Sequence, residues 1–450
     1  MSKQKIQLSD HFDYSRLLRF VLPCIGTMLF TSIYGIVDGL CVSNFVGKTA
    51  FAAVNLIMPV PMLVGSVGFM LGTGGSAIVG ITLGEGDREK ADRYFSLFVW
   101  TALLAGIVLS AVGVLIVRPA ALLGAEGEML DYAVRYGRLL MICLPFFILQ
   151  NLFQSFFVTA EKPHLGFAFT VAAGLTNMVL DVVLVGMLHG GVEGAAIATF
   201  ISQAVGGVLP VFYFLNKRST SSIHLGRAQW NGGVIRSACI NGSSELMTNL
   251  SMSLVNILYN YQLLRFAGEN GVAAYGVIMY AAFLFVAVFV GYAVGSAPIV
   301  SYHYGARSHA ELNNLYSKSL RLIGVIAVVM TALSMLVIPY VARIFVGYDA
   351  ELLALTSHAF RVYALNFFLM GFNVYGSSFF TALGDGVTSA LISFLRTLLF
   401  QLLALILLPM VLGIEGVWLA VTAAEAGALC VTVLMFITKD RVFHYRKVSC

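Results

Sequence analysis

Five ionisable residues, Asp38, Asp181, Glu245, Arg396 and Glu425, lie within long apolar stretches of the sequence. A charge in such a stretch is costly, so each is a candidate for handling an ion or a ligand. Asn177 precedes Asp181 by four residues, which puts both on one face of a helix. Asp38, Asn177, Asp181 and Thr199 fall at similar depths of their segments, so four polar groups converge on one level of the N-terminal half. Two carboxylates in a poorly solvated site repel each other, which favours protonation of one or both. Alternatively a cation such as Na⁺ replaces the proton at Asp38, Asn177 and Asp181, with Asn and Thr oxygens in its shell. The plainer alternative is two unrelated helix-end aspartates facing water. Glu245 and Glu425 lie nearer mid-segment, placed either to face a central cleft and attract cations or to bond a neighbouring helix. Arg396 suits a carboxylate or a backbone carbonyl as its partner.

The elements that must position these groups are membrane helices. The chain has 450 residues, 59% hydrophobic and 11% charged, whereas soluble proteins are about 45–50% apolar and about 25% charged. A spanning helix needs about 20 apolar residues. Twelve such segments are predicted, at about 16–44, 51–83, 94–118, 130–159, 164–189, 192–216, 234–264, 271–303, 317–346, 352–383, 387–412 and 414–438. Pro23, Pro59, Pro61, Pro145, Pro298 and Pro339 fall in or near them, and each removes a backbone donor. The expected fold is therefore all-α and polytopic.

The chain also says nearly the same thing twice. The stretch from Gly84 to Ser96 returns in pattern from Gly305 to Ser317, a spacing of 221, and Gly191–Ala198 returns as Gly413–Ala420, a spacing of 222. A repeat this long marks a duplicated bundle, a plan typical of transporters. The expected division is 1–216 as an N-terminal lobe of six helices, 217–233 as a cytoplasmic linker, and 234–450 as a C-terminal lobe of six. One set of loops carries most Lys and Arg, among them Lys3, Lys5, Arg88, Arg93, Arg307, Lys439 and Lys447, which makes that side cytoplasmic and both termini internal. Asp38 falls on Tyr259 and Asp181 on Leu403, so the repeat keeps the architecture but not the chemistry of the first half.

Other chemistries find little support. The six cysteines, Cys24, Cys41, Cys143, Cys239, Cys430 and Cys450, form no C-x-x-C pair and read as small core residues. Gly72–Gly75 lacks the Lys of a phosphate loop and reads as close helix packing. The +5 net charge is dispersed over short loops, which argues against nucleic acid. No H-E-x-x-H, G-x-S-x-G or paired membrane His motif points to an enzyme. No cleavable signal is evident.

Val37-Asp38-Gly39, Phe51–Asn55, Gly84–Asp87, Asn177-x-x-x-Asp181 and Gly194–Thr199, followed by Asn241–Glu245, Ala273–Tyr275 and Pro298–Ala306, together resemble the MATE (multidrug and toxic compound extrusion) family over about residues 16–438. The resemblance implies twelve helices in two pseudo-symmetric lobes. It also implies export of organic cations or amphipathic drugs across the cytoplasmic membrane, driven by inward H⁺ or Na⁺, with no cofactor and with a monomer sufficing. It makes Asp38, Asn177, Asp181 and Thr199 a cation-coupling site, with Tyr34 a turn from Asp38 and Pro23 as a bending point of the first helix. Glu245 matches an acidic residue of the second lobe. Some members carry a tenth-helix carboxylate near Asn373, and none stands between Glu351 and Asp385 here, which moves the expected ion site to the first lobe. The alternative is a flippase or exporter of a lipid-linked sugar, lipid or metabolite, for which a single deep cation, Arg396, is poor provision. A major-facilitator transporter is also six plus six, but Gly84–Arg88 is one residue short of its loop motif.

Overall fold

The computed structural model describes residues 6–122 and 124–446; Lys3, Lys5, Lys447 and Cys450 lie outside them. Among the described residues the fold is all-helical. The helices are α1 (Tyr14–Phe45), α2 (Lys48–Ile57), α3 (Pro59–Gly84), α4 (Arg88–Ala121), α5 (Gly127–Ile142), α6 (Leu144–Thr159), α7 (Pro163–Leu180) and α8 (Gly191–Leu215) in the first half. The second half has α9 (Gly232–Asn241), α10 (Ser243–Gly305), α11 (His309–Val346), α12 (Ala350–Ala364), α13 (Phe367–Ala382), α14 (Gly386–Phe394), α15 (Phe400–Leu412), α16 (Ile414–Thr438) and α17 (Asp440–Phe443). Two π-helical turns, Asp181–Met187 and Leu395–Leu399, extend α7 and join α14 to α15.

Nine described helices are long and apolar enough to cross a membrane, and two bent pairs raise the number to eleven. The twelfth crossing is hidden in α10. Its 63 residues would run about 95 Å if straight, three times the hydrocarbon thickness. It breaks at Gly268, where φ is 58° and ψ −148°. Gly47, the same position of the first repeat, also has positive φ, and there separates α1 from α2.

Proline accounts for part of the bending. Pro59 and Pro61 open α3 after Met58, and Pro145 sits just after the 56° bend between α5 and α6. The corresponding 46° bend between α12 and α13 has no proline; there the Asn366 side chain caps its own turn, donating to the Tyr363 carbonyl. Pro23 and Pro339 leave α1 and α11 continuous, and Thr27 Oγ1 donates to the Pro23 carbonyl.

The halves meet along a seam of α1 and α3 against α10, near the loops that carry Arg88 and Arg307. Two glycines set its closeness. A Cβ on Gly84 would lie 2.0 Å from the Tyr302 carbonyl oxygen, and one on Gly305 2.0 Å from that of Ile81. These are the equivalent contacts of the two repeats, so the sequence marker is itself the point where the halves touch.

The chain before α1 fastens the same end. Glu161, after α6, accepts from the Leu8 amide (2.9 Å), and Glu311, on α11, accepts from the Phe12 amide (3.0 Å). His11 Nδ1 lies 2.7 Å from Glu311 Oε2, and Lys318 Nζ donates to the Phe12 carbonyl (2.7 Å). Leu8, Phe12, Leu17 and Phe20 share one buried cluster with Tyr292, Leu312 and Tyr375 of the second half. The stretch between α8 and α9 is likewise fixed: Asp92 accepts from the His224 amide and Ser96 from the Gly226 amide.

Candidate functional site

Asp38, on α1, and Asp181, opening the π turn after α7, adjoin each other. Asp38 is 9% exposed and Asp181 0%. That burial rules out helix-end aspartates facing water. No donor among the described residues reaches either Asp181 oxygen or Asp38 Oδ1. Asn177 is buried one turn before Asp181, and its Nδ2 also lacks a partner. Thr199 Oγ1, from α8, is buried and unpaired. Tyr34 lies near Asp38. Buried polar groups are normally hydrogen-bonded, so a group of this many unpaired polar atoms is unusual.

The sequence reading missed Tyr136, on α5. Its hydroxyl is buried beside Asp38, Asp181 and Thr199, outside hydrogen-bond geometry with any described residue. A signal was available: Ala133, Tyr136, Gly137 and Leu140 form an i, i+3, i+4, i+7 stripe, all buried. The flanking Arg135 and Arg138 make that stretch look like a loop end.

The second half carries different chemistry. A cavity of about 400 Å³ lies mainly within it, reached from the first half by Thr73, Ser76, Ala77 and Ser155. Neither Asp38 nor Asp181 lines it. Glu245, Glu425 and Arg396 do. Glu425, 1% exposed, pairs with Arg396 Nη1 at 3.4 Å. Asn373 Nδ2 donates to Glu425 Oε2 (2.7 Å) and to the Glu425 carbonyl (2.9 Å). Thr432 Oγ1 donates to Asn373 Oδ1 (2.8 Å), which fixes the amide's orientation. Asn373 is thus the holder of a carboxylate that comes from α16. The cavity's body is apolar and aromatic, including the Tyr259–Tyr275 ring pair at 4.8 Å.

The cysteines are less uniform than expected. Cys24, Cys41 and Cys143 are buried, Cys239 is half-buried, and Cys430 is exposed.

A two-lobed bundle of about twelve spanning helices, with buried carboxylates in one lobe and a ligand-sized cavity in the other, is the form of a membrane transporter rather than an enzyme. The chain belongs to the MatE family, whose model matches residues 23–183 and again 246–406. It is 22% identical to the Multidrug export protein MepA of Staphylococcus haemolyticus over 437 residues, covering 97% of this chain and 95% of that protein. The MepA protein of Staphylococcus aureus is likewise 22% identical, with 95% of each chain covered. Among solved structures, a MATE in complex with MaL6 superposes with TM-score 0.92 at 23% identity, over 98% of this chain and 100% of that one. The outward-facing conformation of a multidrug resistance MATE family transporter gives 0.91 at 23% identity, over 99% of both.

Proposed function

We propose that the protein is a cation-coupled antiporter that exports organic cationic or amphipathic compounds across the cytoplasmic membrane, driven by H⁺ or Na⁺ moving inward. The observation that carries this reading is the buried Asp38–Asp181 pair, in which Asp38 Oδ1 and both Asp181 oxygens have no donor among the described residues. Two adjoining carboxylates in such a place are stabilised by a proton or a small cation. The Asn177 amide, Thr199 and Tyr136 add neutral oxygens suited to a hard cation. The multidrug-export relatives support the direction and the substrate class.

The coupling site and the cargo cavity are separate, so coupling runs through the helices between them. α1 carries Asp38 near one end and packs on α10 near the other. With the Lys- and Arg-rich loops cytoplasmic, the seam closes the inner side and both termini lie inside. Ion occupancy drives transport only if its affinity differs between this arrangement and one opened at the seam.

The test is ethidium export from vesicles holding the purified protein, with pH and Na⁺ gradients imposed separately. Export under one gradient, lost in Asp38→Asn, is expected. Full gradient-driven export by Asp38→Asn would sink the assignment of coupling to this pair.

A further inference from the structure

Where α1 begins beside α11, cations stand at the edge of a lipid-facing surface. Val325, Val328, Val329 and Leu336 of α11 are exposed, the apolar stripe that a membrane helix shows to lipid. Arg321 precedes the three valines by four, seven and eight residues, on the same face. Its equivalent in the first repeat, 221 residues earlier, is the exposed Trp100. Exposed Trp marks the headgroup level of a bilayer, so the repeat puts Arg321 at that level. Lys318, one turn earlier, is equivalent to Leu97. The first half thus has no cation at either position.

Tyr14, the first residue of α1, joins the two cations. Its ring is exposed, its hydroxyl lies 3.5 Å from Arg321 Nη1, and Lys318 Nζ lies 5.5 Å from its ring centroid. Lys318 also donates to the Phe12 carbonyl (2.7 Å). Three carboxylates lie nearby. Asp10 is 3.9 Å from Arg16. Asp13 accepts from the Arg16 amide (2.7 Å) and adjoins Lys318. Glu311 is taken up by His11, Asn314 and the Phe12 amide. No described carboxylate pairs with Arg321 or with the exposed Arg19 of α1. At the equivalent end of the first repeat, Lys90 and Arg93 have Glu85 and Glu89 as partners. We infer that Arg321, Lys318 and Tyr14 form a binding site for the headgroup of an anionic phospholipid. An arginine fork takes two phosphate oxygens at once, the phenol hydroxyl donates a further bond, and the acyl chains follow the apolar stripe along α11. Tyr14 belongs to α1 and both cations to α11, so a bound headgroup ties the halves together on the side where the seam is closed. The site goes beyond the proposed antiport and needs a bilayer rather than a coupling ion; failure of gradient-driven export would leave it standing.

Native mass spectrometry of the purified full-length protein in detergent, titrated with dioleoylphosphatidylglycerol, reads the affinity of the first lipid bound. Dioleoylphosphatidylcholine is the neutral comparison, and glycerol 3-phosphate the soluble one. Each Lys or Arg at an anionic lipid surface is worth about a fivefold change in affinity. Wild type is therefore expected to hold phosphatidylglycerol about fivefold or more tighter than phosphatidylcholine, and to keep it in excess glycerol 3-phosphate. Arg321→Gln should weaken phosphatidylglycerol about fivefold and leave phosphatidylcholine unchanged, while its thermal unfolding without lipid matches wild type, the position being exposed. Arg321→Lys, which keeps the charge without the fork, should lose less. Arg93→Gln, which removes an ion-paired cation of the same side, should weaken neither lipid. Equal affinity for the two lipids, or equal weakening by Arg93→Gln and Arg321→Gln, overturns the inference. Displacement of the lipid by glycerol 3-phosphate also overturns it, since a soluble phosphate would then be the ligand.

Discussion

Replacing Gly84 by Ala drives a wedge into the seam at its tightest point. The new methyl would sit 2.0 Å from the Tyr302 carbonyl oxygen and 2.8 Å from the Ala306 amide nitrogen, both backbone atoms. Ordinary contact begins at 3.4 Å, so the helices must part by up to 1.4 Å there (3.4 − 2.0). Overpacking of this kind costs about 1–3 kcal/mol. The cost falls on the arrangement with the seam closed and vanishes when the halves separate at that end. The population of seam-open molecules should therefore rise by about 5- to 150-fold. Cys24 is a native reporter, because it is 5% exposed and its sulfur would lie 3.2 Å from a methyl on Gly295 across the seam. With the other five cysteines replaced, Cys24 labelling by a small maleimide should quicken by that factor when reclosing outpaces labelling. Gly305→Ala, at the equivalent contact, should act in the same way. A folded Gly84→Ala protein whose Cys24 labels at the parental rate would refute the idea that this contact holds the halves together.

Asn373→Leu should destabilise the protein by about 1.5–3 kcal/mol, since it strips the short bond from a buried carboxylate; thermal unfolding in detergent measures it. Tyr136→Phe should leave that stability within about 0.5 kcal/mol, because the hydroxyl has no hydrogen-bond partner among the described residues, while lowering the apparent affinity for the coupling ion in vesicle assays. Burial pushes the Asp385 carboxyl up, but bonds from Lys439 Nζ at 2.7 Å and from Thr388 outweigh it and hold the group below its ordinary 3.8. A lowered carboxylate contributes stability above its unfolded-state value and loses it as pH falls through the folded one, so wild type should lose stability below about pH 4 more steeply than Asp385→Asn. Glu311→Gln should loosen the chain before α1, which amide exchange at Leu8 and Phe12 would report as faster exchange.

Helix number and rough limits were legible because a membrane demands long apolar runs that end where polar residues begin. The break in α10 is instructive: Arg265, Glu269 and Asn270 separate the two predicted segments, and Gly268 among them takes the positive φ that breaks the helix. Gly47 holds the same position in the first repeat. The bend before α13 was not legible, since no proline marks it. At the N-terminal site, spacing put Asn177 and Asp181 on one face, yet Tyr136 comes from a helix whose rotation only packing fixes. In the second half, Asn373 reads as a missing carboxylate. Its role as the partner of Glu425 depends on the register of α13 against α16, which no local pattern carries.

The duplication has kept the seam and let the sites diverge, and a physical reason connects the two facts. The equivalent contacts of Gly84 on Tyr302 and Gly305 on Ile81 constrain each other, because a side chain at either would part the same two helices. Neither copy is free to change alone. The interior of each half faces no such symmetry, so Tyr259 can stand at the position equivalent to Asp38 without disturbing the junction. With the carboxylates in one half and the cavity in the other, a link between them needs an element that carries the first and packs on a wall of the second. α1 meets that need through α10, whose Val290, Val294 and Ala297 line the cavity: Asp38 adjoins Asp181 near one end, and near the other Cys24 and Ile25 pack on Gly291 and Gly295 of α10. Pro23 lies between the buried carboxylate and the fastened chain before α1, one residue from those seam contacts, where its missing backbone donor makes bending cheapest. A change at Asp38 that reaches the second half through α1 should therefore be blocked by a substitution that stiffens residue 23 and leaves both sites intact. Pro23→Ala is that substitution, and it should leave dye binding in the cavity unaltered while uncoupling export from the ion gradient.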